Sequence, residues 1–503
     1  MDLTTQRNQE GLAGPAGGDP SSVWSRVGGN ASIRMLALLI AFTLPAVIFL
    51  RDFYMNDPDF GWHLRAGEWI LAKHAVPFTD PFSIYGAGKA WYDYSWLFDI
   101  FFVALYRIFG LAGFALLEIV FRIAIPASLF RLARGLDLSF WASIAAATLG
   151  AYSLTSIYAP RPGMFTIIFF ILELRILFGA LLKGKFSGLY WLIPIFWLWA
   201  SIHIEFIHGL IVLALFAGES ILNSVLRYRA EPAPLPRKSP AVAAACFVAT
   251  LLTPYGWHVY STVFVYAGQK HIYESISEML AMSFREPYHY VLALLTLAAA
   301  GALGWSRKIR PIYVLLFAFA AILGFRSIKD TWILAAVSVA LLAVSLRRTE
   351  STPERAMELK SKLALAVCIV AVVAVGWRRY GIDNNWIEMG LAGRYPEAAA
   401  RYVEQHHLQG PLYNDFTSGG FLIWRLPNIP VSMDGRTNVH GDERVQQYTN
   451  ALKGFPGWEK DADLSQANLI IWPAKSPLVG LLQCDPRFKK VFDDPQGVVF
   501  VRK

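Results

Sequence analysis

The chain has 503 residues, 55% of them hydrophobic and 17% charged, where a soluble protein carries about a quarter charged residues. Apolar runs of nearly span length recur between residues 34 and 378, which excludes an ordinary soluble globule and describes a mainly α, polytopic helical membrane protein. The net charge of +9 sits largely in short loops between those runs, and no zinc-finger spacing, Gly-rich phosphate loop or RNA-binding motif accompanies it, so nucleic acid is not an expected partner.

In chain order, residues 1–33 are rich in Gly, Ser and Pro and read as a disordered cytoplasmic N-terminus. The run IRMLALLIAFTLPAVIFL follows as a signal anchor, too long for a cleaved signal. About eleven transmembrane helices are expected within a core at 34–379, at 34–51, 113–130, 139–157, 164–182, 189–203, 206–226, 240–254, 288–304, 311–325, 331–346 and 362–378. Basic clusters test their alternation: Arg131 and Arg134, Lys183 and Lys185, Arg227 to Lys238, Arg307 to Arg310, and Arg347 with Arg348 all fall on the inner side. The C-terminus then lies outside. Residues 94–110 are apolar but short and carry Asp99 and Arg107, so they read as a helix in or near the outer interface.

The first outer loop, 52–112, opens with NDPDFGWHLRAGEWI. Past Pro58, residues 59–73 read as an amphipathic helix on the outer membrane surface. Asp59 and His63 are four apart and share a face. Trp62, Ala66, Trp69 and Ile70 make an apolar stripe beside them, its aromatics suited to the headgroup level. A carboxylate in that place can take a proton from an acceptor hydroxyl, or hold a divalent cation against a lipid-linked phosphate. The plainer alternative is that Asp57 or Asp59 caps the helix. Asp80, in TDPFS, is a binding candidate or a simple Asx-Pro turn.

Other outer loops carry ionisable groups on the same side. Arg161, Arg326 and Lys329 stand at span ends where a lipid phosphate would sit, and Arg suits bidentate phosphate contact. Interfacial anchoring, or pairing with Asp330, is the alternative. His203, Glu205 and His208 cluster where the fifth span meets the sixth. Glu278, in the second large loop at 255–288, is a candidate for the same cavity.

Residues 380–503 read as a soluble, extracytoplasmic α/β domain. PEAAARYVEQHH, GGFLIWRL and ERVQQYTNAL are helices. GPLYNDF and IPVSMDGR end strands, ANLIIWP is a buried strand, and VFDDPQGVVFVRK is a hairpin. Asp434 and Arg436 are expected to pair, stabilise the fold or touch an acceptor. Cys246 and Cys368 lie in apolar runs and Cys484 in this domain, so no disulfide framework is expected.

These stretches resemble bacterial membrane proteins of the GT-C glycosyltransferase superfamily, the polyprenyl-phosphate-sugar-dependent, oligosaccharyltransferase- and mannosyltransferase-like group. The first loop carries the likeness at Asp57, Asp59, Trp62, His63, Gly67, Ile70, Pro77, Asp80, Pro81, Phe82, Ser83, Trp91, Trp96 and Leu97. Later positions agree at Arg161 and Pro162, at Trp199, Ala200 and His203, at Pro254, Tyr255 and Gly256, and at Arg326. In the tail they agree at Gly419, Gly420, Asp434, Gly435 and Arg436. Three features depart from the pattern. Tyr94 and Ser95 stand where many members have His-Glu, Ser201 replaces an Asn, and Glu205 occupies a common Gly position.

The resemblance implies an inverting glycosyltransferase. It would move a sugar from a polyprenyl-phosphate donor to a saccharide, lipid or protein acceptor on the outer face of the bacterial cytoplasmic membrane. It assigns base or metal contact to Asp59, with Asp57 second because it precedes Pro58, and sets His63 beside them. Arg161 and Arg326 fall to the donor phosphate, while Asp80, His203, Glu205, Glu278 and Lys329 stand as substrate-binding candidates by their placement. A divalent cation, Mg or Mn, is the one cofactor it admits. Two other functions stay open: a transporter or flippase for a lipid-linked saccharide, and an inactive relative acting as a binding protein. Transport would need polar residues at mid-membrane depth or broken helices in paired repeats. Charges at span ends and the lack of a repeat favour the enzyme.

Overall fold

The structure is a computed structural model that describes residues 30–53, 55, 57–226, 238–306, 309–347 and 357–503. The N-terminal stretch 1–29 and the loop cations Arg227, Arg229, Arg237, Arg307, Lys308 and Arg348 lie outside the described residues.

Among the described residues, six helices are long and apolar enough to cross a membrane: Ala31–Asp52, Ala112–Gly135, Gly163–Lys183, Pro287–Trp305, Ile328–Ser345 and Leu359–Tyr380. Five shorter apolar helices accompany them, Phe140–Tyr152, Phe186–Ile202, Phe206–Ile221, Ser239–Thr250 and Pro311–Arg326. Together they make a multi-pass membrane protein, and each coincides with an expected apolar run.

Local chemistry explains several boundaries. Pro45 has no N–H for the helix ladder, and the turn before it, Leu39–Thr43, relaxes to π geometry. Gly184 ends Gly163–Lys183 in the left-handed conformation, its N–H donating to the Ala180 carbonyl at 3.2 Å. Helix Thr331–Ser345 forms the centre, with Trp332 to Leu341 buried throughout. Leu359–Tyr380 is peripheral. Gly376 is its one buried residue, and a Cβ there would overlap Val47 of the first helix. Its remaining apolar surface faces outward, as on a lipid-bathed helix.

Two helices fill the first loop, Phe60–Lys73 and Trp96–Phe109. The second, at 14 residues, is about 21 Å long, short of the roughly 30 Å of a bilayer core. The two cross at Gly67, where a Cβ would overlap the Asp99 carbonyl oxygen and stand 2.7 Å from Val103 Cγ2. The expected surface helix is therefore an internal one. Trp62, Ala66 and Ile70 are buried in protein, so its apolar stripe faces side chains instead of headgroups.

The C-terminal residues form an α/β layer. Strand β1 (Leu412–Asn414) pairs in parallel with β2 (Leu469–Trp472), which pairs antiparallel with β4 (Val498–Arg502). The hairpin partner β3 (Phe488–Asp493) completes the order β1-β2-β4-β3. The parallel pair needs a long crossover, and helices Phe416–Arg425 and Asp442–Leu452 supply it. IPVSMDGR is not a strand of this sheet. Its Val431 bridges to the first loop: the Ile84 N–H donates to its carbonyl at 2.8 Å, and its own N–H donates to Phe82 O at 3.1 Å. Pairing groups committed to the first loop are not available to a sheet neighbour.

This layer shares one hydrophobic core with the first loop. Phe60 is fully buried, its ring 5.6 Å from Trp424, 5.9 Å from Tyr395 and 6.4 Å from Phe114. Burial of one such side chain contributes about 2 kcal/mol.

Candidate active site

Asp57, Pro58 and Asp59 form the turn that starts the first-loop helix. Asp57 Oδ1 accepts the Asp59 N–H at 3.0 Å, and the Asp57 carbonyl accepts the Tyr395 hydroxyl at 3.1 Å. Asp59 occupies the N-cap position, but its carboxylate makes no capping bond and is left for other work. Four residues on, the His63 imidazole reaches the other first-loop helix. Its Nδ1 meets Asp99 Oδ1 at 2.6 Å, its ring stacks on Trp62, and Phe98 and Phe102 flank it.

Eight of the residues singled out in the sequence line one open cleft: Asp57, Asp59, His63, Arg161, His203, Glu205, Glu278 and Lys329. Arg161 comes from the turn before Gly163–Lys183, His203 and Glu205 from the break between two helices, and Glu278 from the second large loop. Arg161 Nη1 pairs with Glu278 Oε2 at 2.8 Å, and Lys329 Nζ with Glu205 Oε1 at 3.3 Å. His203 Nδ1 is 3.6 Å from Glu205 Oε2 and 3.0 Å from the Thr166 hydroxyl, which accepts the Trp199 indole N–H at 2.8 Å.

Burial, and then the neighbouring Asp57, raise the Asp59 carboxyl to about 7. Burial works against the charge on Arg161, but Glu278 and Asp57 outweigh it and hold the guanidinium protonated. Burial likewise opposes the charge on Glu278, and Arg161 with Lys329 overcomes it, so this carboxyl lies below its ordinary value. Burial takes His203 down to about 4, so it is a neutral donor or acceptor near pH 7. The cleft therefore holds fixed cations in carboxylate custody beside one acid poised near neutrality.

Two expected site residues lie elsewhere. Asp80 is buried beneath the C-terminal layer, accepting the Phe82 N–H at 3.0 Å and pairing with Arg436 Nη1 at 2.6 Å. Its Asx turn is real, and its carboxylate is a structural joint. Arg326 is exposed at the far side of its span end, with its guanidinium 4.6 Å from the Tyr273 ring.

The sequence reading gave no site role to Asp93, Asp99, Tyr94 or Gly435. Asp93 and Asp99 are buried beside one another, and burial raises both carboxyls. Burial also lowers His63. Charges inside the apolar 94–110 run were the available signal. Tyr94 lines the cleft, and its hydroxyl lies 3.1 Å from that of Tyr266, which donates to Asn438 Oδ1 at 3.2 Å. Its departure from the usual His-Glu was the clue.

The MDGR segment forms a buried network above the cleft. Arg436 donates to Asp434 through Nε at 2.8 Å and Nη2 at 2.7 Å, and His440 Nε2 is 3.2 Å from Asp434 Oδ2. The Arg436 guanidinium also sits 4.6 Å from the Trp91 ring centre. Gly435, between the paired residues, lies against Asp59.

Among the described residues, no three His, Cys, Asp or Glu side chains form a group able to hold a metal ion.

This helical core with its first-loop cleft is similar in fold to a solved glycosyltransferase. The chain matches the cryo-EM structure of arabinofuranosyltransferase AftD from mycobacteria at a TM-score of 0.51 and 15% identity, over 95% of this chain and 40% of that one. It therefore spans about two fifths of that relative's length, and the likeness is one of fold. Two further matches, both below 0.5, accompany it. One is the Archaeoglobus fulgidus oligosaccharyltransferase tethered with an acceptor peptide, at 0.49 and 12% identity over 90% of this chain and 69% of that one. The other is ArnT from Cupriavidus metallidurans bound to undecaprenyl phosphate, at 0.44 and 13% identity over 95% and 98%. No family model matches the sequence, and no curated protein matches it significantly.

Proposed function

We propose that the protein is an integral membrane glycosyltransferase. It moves a sugar from a polyprenyl-phosphate donor to an acceptor hydroxyl on the outer face of the bacterial cytoplasmic membrane, with inversion. The observation that carries this reading is the gathering of Asp59, Arg161 and Lys329 in one cleft. Asp59 takes the acceptor proton as the acceptor oxygen bonds to the anomeric carbon. The bond from that carbon to the phosphate oxygen breaks, and the electron pair leaves with the phosphate. Arg161 and Lys329 exchange Glu278 and Glu205 for that phosphate and stabilise its developing charge.

The test is transfer by purified protein in liposomes, supplied with a panel of polyprenyl-phosphate sugars and candidate acceptors. Transfer by wild type that falls to a small but measurable residual in Asp59→Asn supports the reading. Equal transfer by the variant removes Asp59 from the chemistry.

One observation favours a second reading, movement of a lipid-linked saccharide across the bilayer. Glu173, midway along Gly163–Lys183, is fully buried, and neither carboxyl oxygen has a hydrogen-bond partner among the described residues. An ionisable group at that depth is a functional signal in transporters. Sugar-lipid translocation without transfer, abolished in Glu173→Gln, would favour it.

A further inference from the structure

We infer that Gly435 is a positioning residue for Asp59: the C-terminal layer sets where the first-loop carboxylate stands. The inference rests on Asp59 acting as the base proposed above.

A Cβ placed on Gly435 would overlap Asp59 Oδ1 and stand 2.8 Å from its Cγ and 3.2 Å from its Oδ2. The three atoms nearest that point all belong to the Asp59 carboxylate. The glycine is not demanded by its backbone, because Gly435 is not among the residues with positive φ. Any L-residue fits that conformation; what excludes a side chain is the carboxylate itself.

Both sides of this contact are held. On one side, Asp434 is 0% and Arg436 2% exposed, and Arg436 joins Asp434 to Asp80 of the first loop. The Gly435 carbonyl accepts the Thr437 N–H at 2.9 Å, and the Thr437 carbonyl accepts from Gln269 at 2.8 Å. On the other side, the Asp59 backbone is tied to Asp57, and Pro58 presses on Gly420, where a Cβ would overlap the Pro58 carbonyl oxygen. Asp59 Oδ1 is buried without a hydrogen-bond partner among the described residues. Contact with the bare Cα of Gly435 locates that oxygen. Shape therefore fixes the carboxylate, and the shape comes from the far end of the chain.

The experiment uses the full chain in liposomes with the donor and acceptor that wild type turns over. Gly435→Ala is expected to lower kcat about 10-fold or more while the donor KM stays within about 2-fold. In an Asp59→Asn background the same change should add less than about 2-fold, because its effect passes through the carboxylate. Wild-type kcat in Gly435→Ala, or a loss that multiplies with that of Asp59→Asn, overturns the inference. Full activity of Asp59→Asn overturns the base assignment and this inference together. A folding readout covers the case in which Gly435→Ala is too unstable to assay. Asp59→Ala removes all three clashing atoms, so Asp59→Ala/Gly435→Ala should unfold at the temperature of Asp59→Ala alone. A double variant that remains as unstable as Gly435→Ala overturns the contact.

Discussion

Gly61 and Gly420 meet backbone to backbone: a Cβ on Gly61 would overlap the Gly420 carbonyl oxygen and lie 2.7 Å from its carbon. This crossing brings helix Phe416–Arg425 onto the start of the Asp59 helix. Gly61→Ala must push the two apart, and overpacking of this kind costs about 1–3 kcal/mol. A fall in unfolding temperature in detergent checks it, and an unchanged midpoint would show that the two elements separate freely.

The pH dependence of transfer follows from Asp59. As a base it works only when deprotonated, and burial raises its carboxyl to about 7. The rate should therefore climb through about pH 7 and flatten above it, falling tenfold per unit on the acid side. A carboxylate at its ordinary value would give a flat profile from about pH 5 upward. Initial rates between pH 5 and 9 at saturating donor distinguish the two.

Arg161 and Glu278 make opposite predictions for donor binding. Arg161→Ala removes a phosphate contact and should raise the donor KM about 10-fold or more; Arg161→Lys should recover only part, having lost the fork geometry. Glu278→Gln releases the guanidinium from its carboxylate, so the donor KM should hold or fall. A Glu278→Gln variant with a weakened donor KM would sink the exchange of carboxylate for phosphate.

Arg436→Ala breaks a buried joint and leaves Asp80 and Asp434 without their cation. Loss of one partner of a buried pair costs about 3–5 kcal/mol. The variant should unfold early and become sensitive to protease at the contact between the first loop and the C-terminal layer. Wild-type protease resistance would argue that the layers are held by the aromatic core alone.

Much of this architecture is legible in the residue pattern, because apolar runs of span length and the continuous apolar stretch LIIW have few alternative uses. The cleft was legible as well, as ionisable residues left at one set of span ends. Pairing was not. Helical spacing puts Asp59 and His63 on one face, yet Asp59 precedes the first helical residue and turns toward Gly435, while His63 finds Asp99 on another helix. Local periodicity carries no information about which distant element arrives. The IPVSMDGR segment failed for the same reason. Its β-like composition is satisfied by Phe82 and Ile84 of the first loop, far away in the chain.

Chain order gives the roof over Asp59 a temporal meaning. Asp59 leaves the ribosome well before Gly435 and Arg436 do. Until that later turn locks onto Asp80, the carboxylate has no fixed place. A nascent chain should therefore be catalytically silent even with the helices before the turn inserted, and activity should switch on only after Gly435 and Arg436 have emerged.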